Sequence, residues 1–188
     1  EVGNRKEWAN QDYDTVPDTT VDQWKEDHDF DKLNEYWDDI DPMQQGTLLD
    51  DFLNRAKTFP EGGAFVVDRL VAGGLGKDTE QKLMTQLKEN FAGGLYGTSL
   101  MNGPSQAQEA ISLLSASSDP AAAMKKLGVD PTRLLYNVGG GDDKIVGETD
   151  AKVMDSYAEL MTQLYGEDSK HARAGLMAAS VLRKNYPV

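Results

Sequence analysis

The chain has 188 residues, 39% of them hydrophobic, enough for one domain or one domain with an appended arm. It contains no Cys, which excludes disulfides and thiolate metal or redox chemistry and leaves the compartment open. A net charge of −13 disfavours direct binding to nucleic-acid phosphates or anionic lipid, and no run of about 18 apolar residues is present to span a bilayer.

The charge is segregated. Residues 1–51 hold sixteen acids against four bases, and the remainder holds sixteen acids against fifteen bases. The expected organisation is therefore an acidic arm over 1–45 and a nearly neutral helical body over 46–188. The chain opens on Glu1 rather than Met and shows no signal-peptide pattern. A processed product or a segment of a longer chain is the corresponding expectation.

Residues 1–20 have no helical period, carry Pro17, and read as an extended or mobile lead-in. From Thr20 to about Ile40 the pattern predicts one helix, with Thr20 as N-cap and acids in its first turn. Its apolar residues (Val21, Trp24, Phe30, Leu33, Tyr36, Trp37 and Ile40) are spread over more than one face, so it packs on two sides or binds something. All three tryptophans, Trp8, Trp24 and Trp37, lie in this acidic region. Either the rings anchor the arm to the body, or they fill pockets on a partner while carboxylates steer toward a basic surface. The second reading nominates Trp24, Asp27, Asp29, Asp31, Tyr36 and Trp37 as a docking segment.

Asp41-Pro42 reads as a break, with Thr47 capping a helix whose stripe is Leu48, Leu49, Phe52, Leu53 and Ala56. Pro60 opens a helix carrying Phe65, Val66, Leu70 and Val71 that stops at Gly73-Gly74. Asp78 to Phe91 is predicted to turn Leu83, Met84, Leu87 and Phe91 inward and to stop at Gly93-Gly94. Pro104-Ser105 opens a helix with Ala107, Ala110, Ile111 and Leu114 inward, and Asp119-Pro120 opens a short one ending at Gly128. Asp130-Pro131 opens another, reaching Tyr136 before the loop Gly139 to Asp143.

The strongest pattern is C-terminal. Val153, Met154, Tyr157, Leu160, Met161 and Leu164 lie along one stripe of a 3.6-residue helix, leaving Asp155, Glu159 and Gln163 toward water. After Gly166 a small-residue helix puts Ala172, Gly175, Leu176, Ala179 and Leu182 on one face, which predicts a closely packed antiparallel hairpin. The one strand candidate, Lys144 to Val146, is too short to seed a sheet. The expected fold is all-α, a compact array of about eight or nine short helices with Gly/Pro turns and an acidic N-terminal arm.

Motifs for chemistry are mostly absent. Gly74 to Thr79 resembles a phosphate loop only superficially: Val71 stands where its first Gly belongs and Asp78 where its metal-binding hydroxyl belongs. The Gly139–Asp143 loop and Asp41–Phe52 both fail the calcium-loop pattern. His28 and His171, the two histidines, find no second ligand half, so no metal or cofactor is expected. The echo Met-Thr-Gln-Leu at 84–87 and 161–164 is too short to establish a duplication.

Carboxylate chemistry on a glycan would need two facing acids, and Glu61, Glu109, Glu148 and Glu159 qualify only by type. Three readings follow. The favoured one is a non-enzymatic structural or protein-interaction module, part of a larger assembly such as a virion or a secreted protein, docking through its acidic arm on a basic protein. The others are an acidic mimic of nucleic acid that inhibits a basic protein, and a helical carboxylate enzyme that cleaves glycans. Oligomerisation is left open by the sequence.

Overall fold

The computed structural model describes residues 15–96, 104–132, 134 and 148–185. They are helical and contain no strand, so the fold is all-α, as the pattern predicted. The helices are α1 (Asp18–Glu26), α2 (Phe30–Glu35), α3 (Pro42–Asn54), α4 (Pro60–Ala72), α5 (Lys77–Asn90), α6 (Pro104–Ala116), α7 (Pro120–Leu127), α8 (Glu148–Tyr165) and α9 (Lys170–Asn185). A 3₁₀ turn (Trp37–Asp39) follows α2 and a π turn (Ala92–Tyr96) follows α5. Trp8, the Gly139–Asp143 loop and Lys144 to Val146 lie outside the described residues.

The chain divides into two compact units, Glu1–Phe52 and Leu53–Val188, with the division inside α3. In the first unit, the single helix expected from Thr20 to Ile40 is replaced by α1, α2 and the 3₁₀ turn. The break falls at His28, which takes the left-handed backbone at φ 54° without help from Gly. Asp29 then restarts the chain, its carboxylate accepting from the Lys32 backbone N–H at 3.2 Å. Bending explains the two-sided apolar pattern: each short helix turns its own face inward, burying Val21, Trp24, Leu33, Trp37 and Ile40. Trp24 and Tyr36 stack at 5.4 Å, and Phe30 meets Phe52 edge-on at 5.4 Å. The Val16 N–H donates to the Asp39 carbonyl at 2.8 Å, so the start of this segment is tied to its end.

Helix α3 begins at Pro42, not at Thr47. Asp41 accepts from the Met43 N–H at 3.0 Å, and Thr47 sits inside the helix, its hydroxyl donating to the Met43 carbonyl. Gln45 Nε2 donates to the Trp37 carbonyl at 2.7 Å, joining α3 to the 3₁₀ turn.

In the second unit α6 packs against α4, α7, α8 and the π turn. Its buried Ala107, Ala110, Ile111, Leu113 and Leu114 supply a continuous inner face. Helix α7 starts as predicted: Asp119 accepts from the Ala122 N–H at 3.1 Å, Pro120 follows, and Gly128 closes the helix at φ 69°. Asp68 on α4 braces the turn before α7 by accepting from the Ser117 hydroxyl and from the N–H and hydroxyl of Ser118.

The hairpin of α8 and α9 is antiparallel, since Asp155 pairs with Arg183 at 2.6 Å while Tyr165 meets His171 at 5.6 Å. Val153, Met154, Tyr157, Leu160 and Met161 are buried; Leu164 is half-buried. On α9 Ala172, Gly175 and Ala179 face inward, but Leu176 is 52% exposed, against its expected inward place. One residue after Gly175 lies about 100° round the helix, enough to carry Leu176 past the seam. The side chain of Leu182 lies outside the described residues.

Candidate functional site

The nominated docking residues separate into three kinds. Trp24 and Trp37 are 4% and 5% exposed, and their rings form the core of the first unit. Buried rings are not free to enter a partner's pockets, so what they do here is hold α1, α2 and the 3₁₀ turn together. Tyr36 is half-buried and stacked on Trp24. Asp29 is half-buried and committed to capping α2. Asp27 and Asp31 are exposed, Asp27 accepting a surface hydrogen bond from Gln23 at 2.9 Å.

Other acids join those two at the surface. Asp22 and Glu26 on α1, Glu35 at the end of α2 and Asp38 on the 3₁₀ turn are all exposed. The two bases of this unit among the described residues are engaged: Lys25 pairs with Asp51 at 3.6 Å, and Lys32 lies over the Trp24 ring at 6.0 Å. Among the described residues the result is a predominantly acidic surface, presented on short helices anchored by aromatic rings. Such a surface produces a local field that attracts a cationic partner at a distance.

The second unit has one polar hollow worth weighing, of about 110 Å³, where the π turn meets α6. Lys57, Glu89, Asn90, Gln106 and Glu109 line it. Gly94 lets the π turn approach α6 this closely, because any side chain there would run into the Gln106 carbonyl. The buried Gln106 Oε1 has no protein partner, a deficit that one ordered water would satisfy. Small-molecule sites usually enclose roughly 300–1,000 Å³, so the hollow is too small for a glycan. Of the four nominated glutamates, Glu109 lies here, Glu61 is exposed on α4, Glu159 on α8 lines with Asp155 an open groove of about 540 Å³, and the Glu148 side chain lies outside the described residues.

No three His, Asp or Glu side chains converge as a metal cluster among the described residues. His28 stacks on Phe30 at 6.3 Å, and His171 lies beside Tyr165. The loop Gly73 to Gly76 follows helix α4 rather than a strand, which removes the remaining likeness to a phosphate loop. The two Met-Thr-Gln-Leu copies pack against different elements, α5 on the π turn and α8 on α6 and α9. No described helix is long and apolar enough to cross a membrane. No family model, curated protein or solved structure matches the chain.

Proposed function

We propose that the chain is a non-enzymatic helical interaction module that docks on a basic protein surface through the acidic face of its first unit, within a larger assembly. The observation that carries this reading is the pairing of two features in one small unit. Asp22, Glu26, Asp27, Asp31, Glu35 and Asp38 are exposed, while the nearby Lys25 and Lys32 are engaged. Rigid presentation matters because a fixed charge pattern discriminates between partners, whereas a floppy acidic tail attracts any cation.

The same rigidity favours a second reading, an inhibitor that imitates the phosphate spacing of nucleic acid. The two part experimentally: duplex DNA competes for the partner's surface under the second reading and leaves the complex intact under the first.

The test begins with recovery of the partner at low salt, followed by binding kinetics. Reversing Asp27, Asp31 and Glu35 to Lys should slow association about tenfold or more and leave dissociation nearly unchanged, since long-range attraction acts before contact. Raising salt from about 0.1 M to about 1 M should have the same effect, as the screening length shrinks from about 10 Å to about 3 Å. A partner whose affinity ignores both salt and these reversals would refute the proposal.

A further inference from the structure

Charge divides between the two helices of the C-terminal hairpin. Helix α8 carries Glu148, Asp150, Asp155 and Glu159 against Lys152, whereas α9 carries Lys170, Arg173, Arg183 and Lys184 and no acid. The hairpin also keeps apolar side chains in water: Leu176, Met177 and Val181 are 52%, 69% and 50% exposed. Leu176 rims a groove of about 540 Å³, whose α8 wall carries Asp155, Glu159 and Gln163 beside Ala158 and Leu160. Asp155 is paired with Arg183 at 2.6 Å, while Glu159 and Gln163 are exposed. On α9 the side turned away from Ala172, Gly175 and Ala179 bears Met177 and Val181 together with the exposed Lys170, Arg173 and Lys184. Arg173 makes a solvent-exposed pair with Asp168 at 3.4 Å. The face is thus acidic along α8 and basic along α9, with apolar groups open to water on the α9 side.

We propose that this face is the interface of a two-fold dimer, and that its occupant is the same hairpin of a second copy. An occupant of one sign fails on either count. An acidic helix would meet Asp155 and Glu159, and a basic one would meet the bases of α9. A second hairpin turned by a two-fold axis sets its α9 against this α8 and its α8 against this α9. Both contacts then join unlike charges, with Lys170, Arg173 and Lys184 of each copy facing the Glu159 edge of the other, and Leu176, Met177 and Val181 are covered. The net charge of −13 does not stand against this, because its excess acids lie in residues 1–51 and the remainder holds sixteen acids against fifteen bases. Helix α9 has 16 residues and is about 24 Å long, and two helices side by side are about 20 Å wide. The face therefore offers about 500 Å² per copy, or about 1,000 Å² in the pair, at the small end of specific interfaces. A dimer of micromolar strength is the consequence.

Sedimentation equilibrium of the full chain in about 0.15 M salt should show monomer below about 1 μM and dimer above about 100 μM. Met177→Asp with Val181→Asp should raise the dissociation constant tenfold or more. An exchange of charge tests the pairing itself. Glu159→Lys with Gln163→Lys, and separately Lys170→Glu with Arg173→Glu and Lys184→Glu, should each weaken self-association at least tenfold, since like charges then face each other in both contacts. Mixed in equal amounts, these two variants should pair with each other at least as tightly as the wild type pairs with itself, because every contact again joins unlike charges. Lys88→Glu on α5 should leave the dissociation constant within about twofold. All these positions are exposed, and unchanged helicity by circular dichroism checks that the fold persists. The proposal is overturned if the chain stays monomeric to about 100 μM, which would leave the face to a different protein. It is equally overturned if self-association ignores the α9 substitutions, or if the mixed variants pair no better than either does alone.

Discussion

Replacing Gly175 by Ala should destabilise the second unit, although the same replacement in an open helix stabilises. Gly costs a helix interior about 0.8–1.0 kcal/mol relative to Ala, so helix propensity alone predicts a gain. The neighbours decide otherwise. A methyl on Gly175 would lie 2.9 Å from Tyr157 Cδ2, 3.1 Å from Ala158 Cβ and 3.2 Å from the Met154 carbonyl oxygen. Carbon atoms in good contact sit about 3.5–4.0 Å apart, so the two helices must separate or the ring must turn. Tyr157 is poorly placed to turn, being 0% exposed with its hydroxyl donating to the Pro131 carbonyl at 3.0 Å. Overpacking of this kind costs about 1–3 kcal/mol, which outweighs the propensity gain and leaves a net loss of up to about 2 kcal/mol.

Gly46 provides the internal reference. It lies inside α3, its backbone is helical, and a methyl there would meet nothing within 4 Å. Gly46→Ala should therefore stabilise the first unit by about 0.5–1 kcal/mol. Urea titrations of both variants, each read on the transition of the unit that carries it, measure the contrast. Opposite signs are expected. If Gly175→Ala matched or exceeded the wild type in stability, the close approach of α8 and α9 would be refuted.

Leu160→Ala, at a side chain only 1% exposed, should cost about 2–5 kcal/mol in the same titration, and a loss below about 1 kcal/mol would remove α8 from the centre of the core. Asp68→Ala should cost about 1.5–3 kcal/mol, because one carboxylate holds both Ser117 and Ser118 before α7; a loss under about 0.5 kcal/mol would mean that water replaces it freely. Alkaline pH should unfold the second unit. Burial pushes the Tyr96 phenol up from 10.0 to about 12, and burial, with Tyr165 and Asp130 adding, pushes Tyr157 up further. Both states hold the proton below pH 10, so stability is whole there; above it the unfolded chain ionises first, and stability falls by about 1.4 kcal/mol per pH unit per tyrosine. Tyr96→Phe should flatten that slope between about pH 10 and 12, and wild type and variant declining in parallel would show that Tyr96 ionises freely when folded.

What the sequence could reveal of the fold depended on whether a segment buries one face or several. Helix α8 buries one, so Val153, Met154, Tyr157, Leu160 and Met161 recur at helical spacing and are all buried. The starts of α4 and α7 were equally legible, because Pro60 and Pro120 fit the first turn and little else. Pro42 obeys the same rule, yet Asp41-Pro42 reads as a break if the next helix is assigned to a later Thr. Between Asp18 and Ile40 the pattern fails for a physical reason. Two short helices and a 3₁₀ turn each bury a different side, and the hinge at His28 lacks the Gly or Pro that usually marks one. The π turn had a trace, Gly93-Gly94, but this reads equally well as a plain helix stop.

The candidate sites were legible in charge and not in geometry. Composition placed sixteen acids in the first 51 residues, but only the fold separates Asp29, which caps a helix, from Asp27 and Asp31, which face water. Nor could sequence decide between a tryptophan that packs and one that docks, because both uses favour the same ring. In the first unit Trp24 and Trp37 pack, which leaves the exposed carboxylates as the groups the proposed docking would use. The basic stripe of α9 was overlooked for the opposite reason. Its small residues announced a buried seam, and that seam drew Leu176 into the wrong face by a single position. Once Leu176 is placed at the seam's edge, Met177 and Val181 lie further round the same helix, and the α9 bases stand beside apolar side chains exposed to water. In the first unit, then, charge is mounted on an aromatic core; on α9 it flanks exposed apolar groups. On the proposed reading, electrostatic attraction to the exposed carboxylates governs a partner's approach, and the buried rings serve only to hold those carboxylates in a fixed pattern.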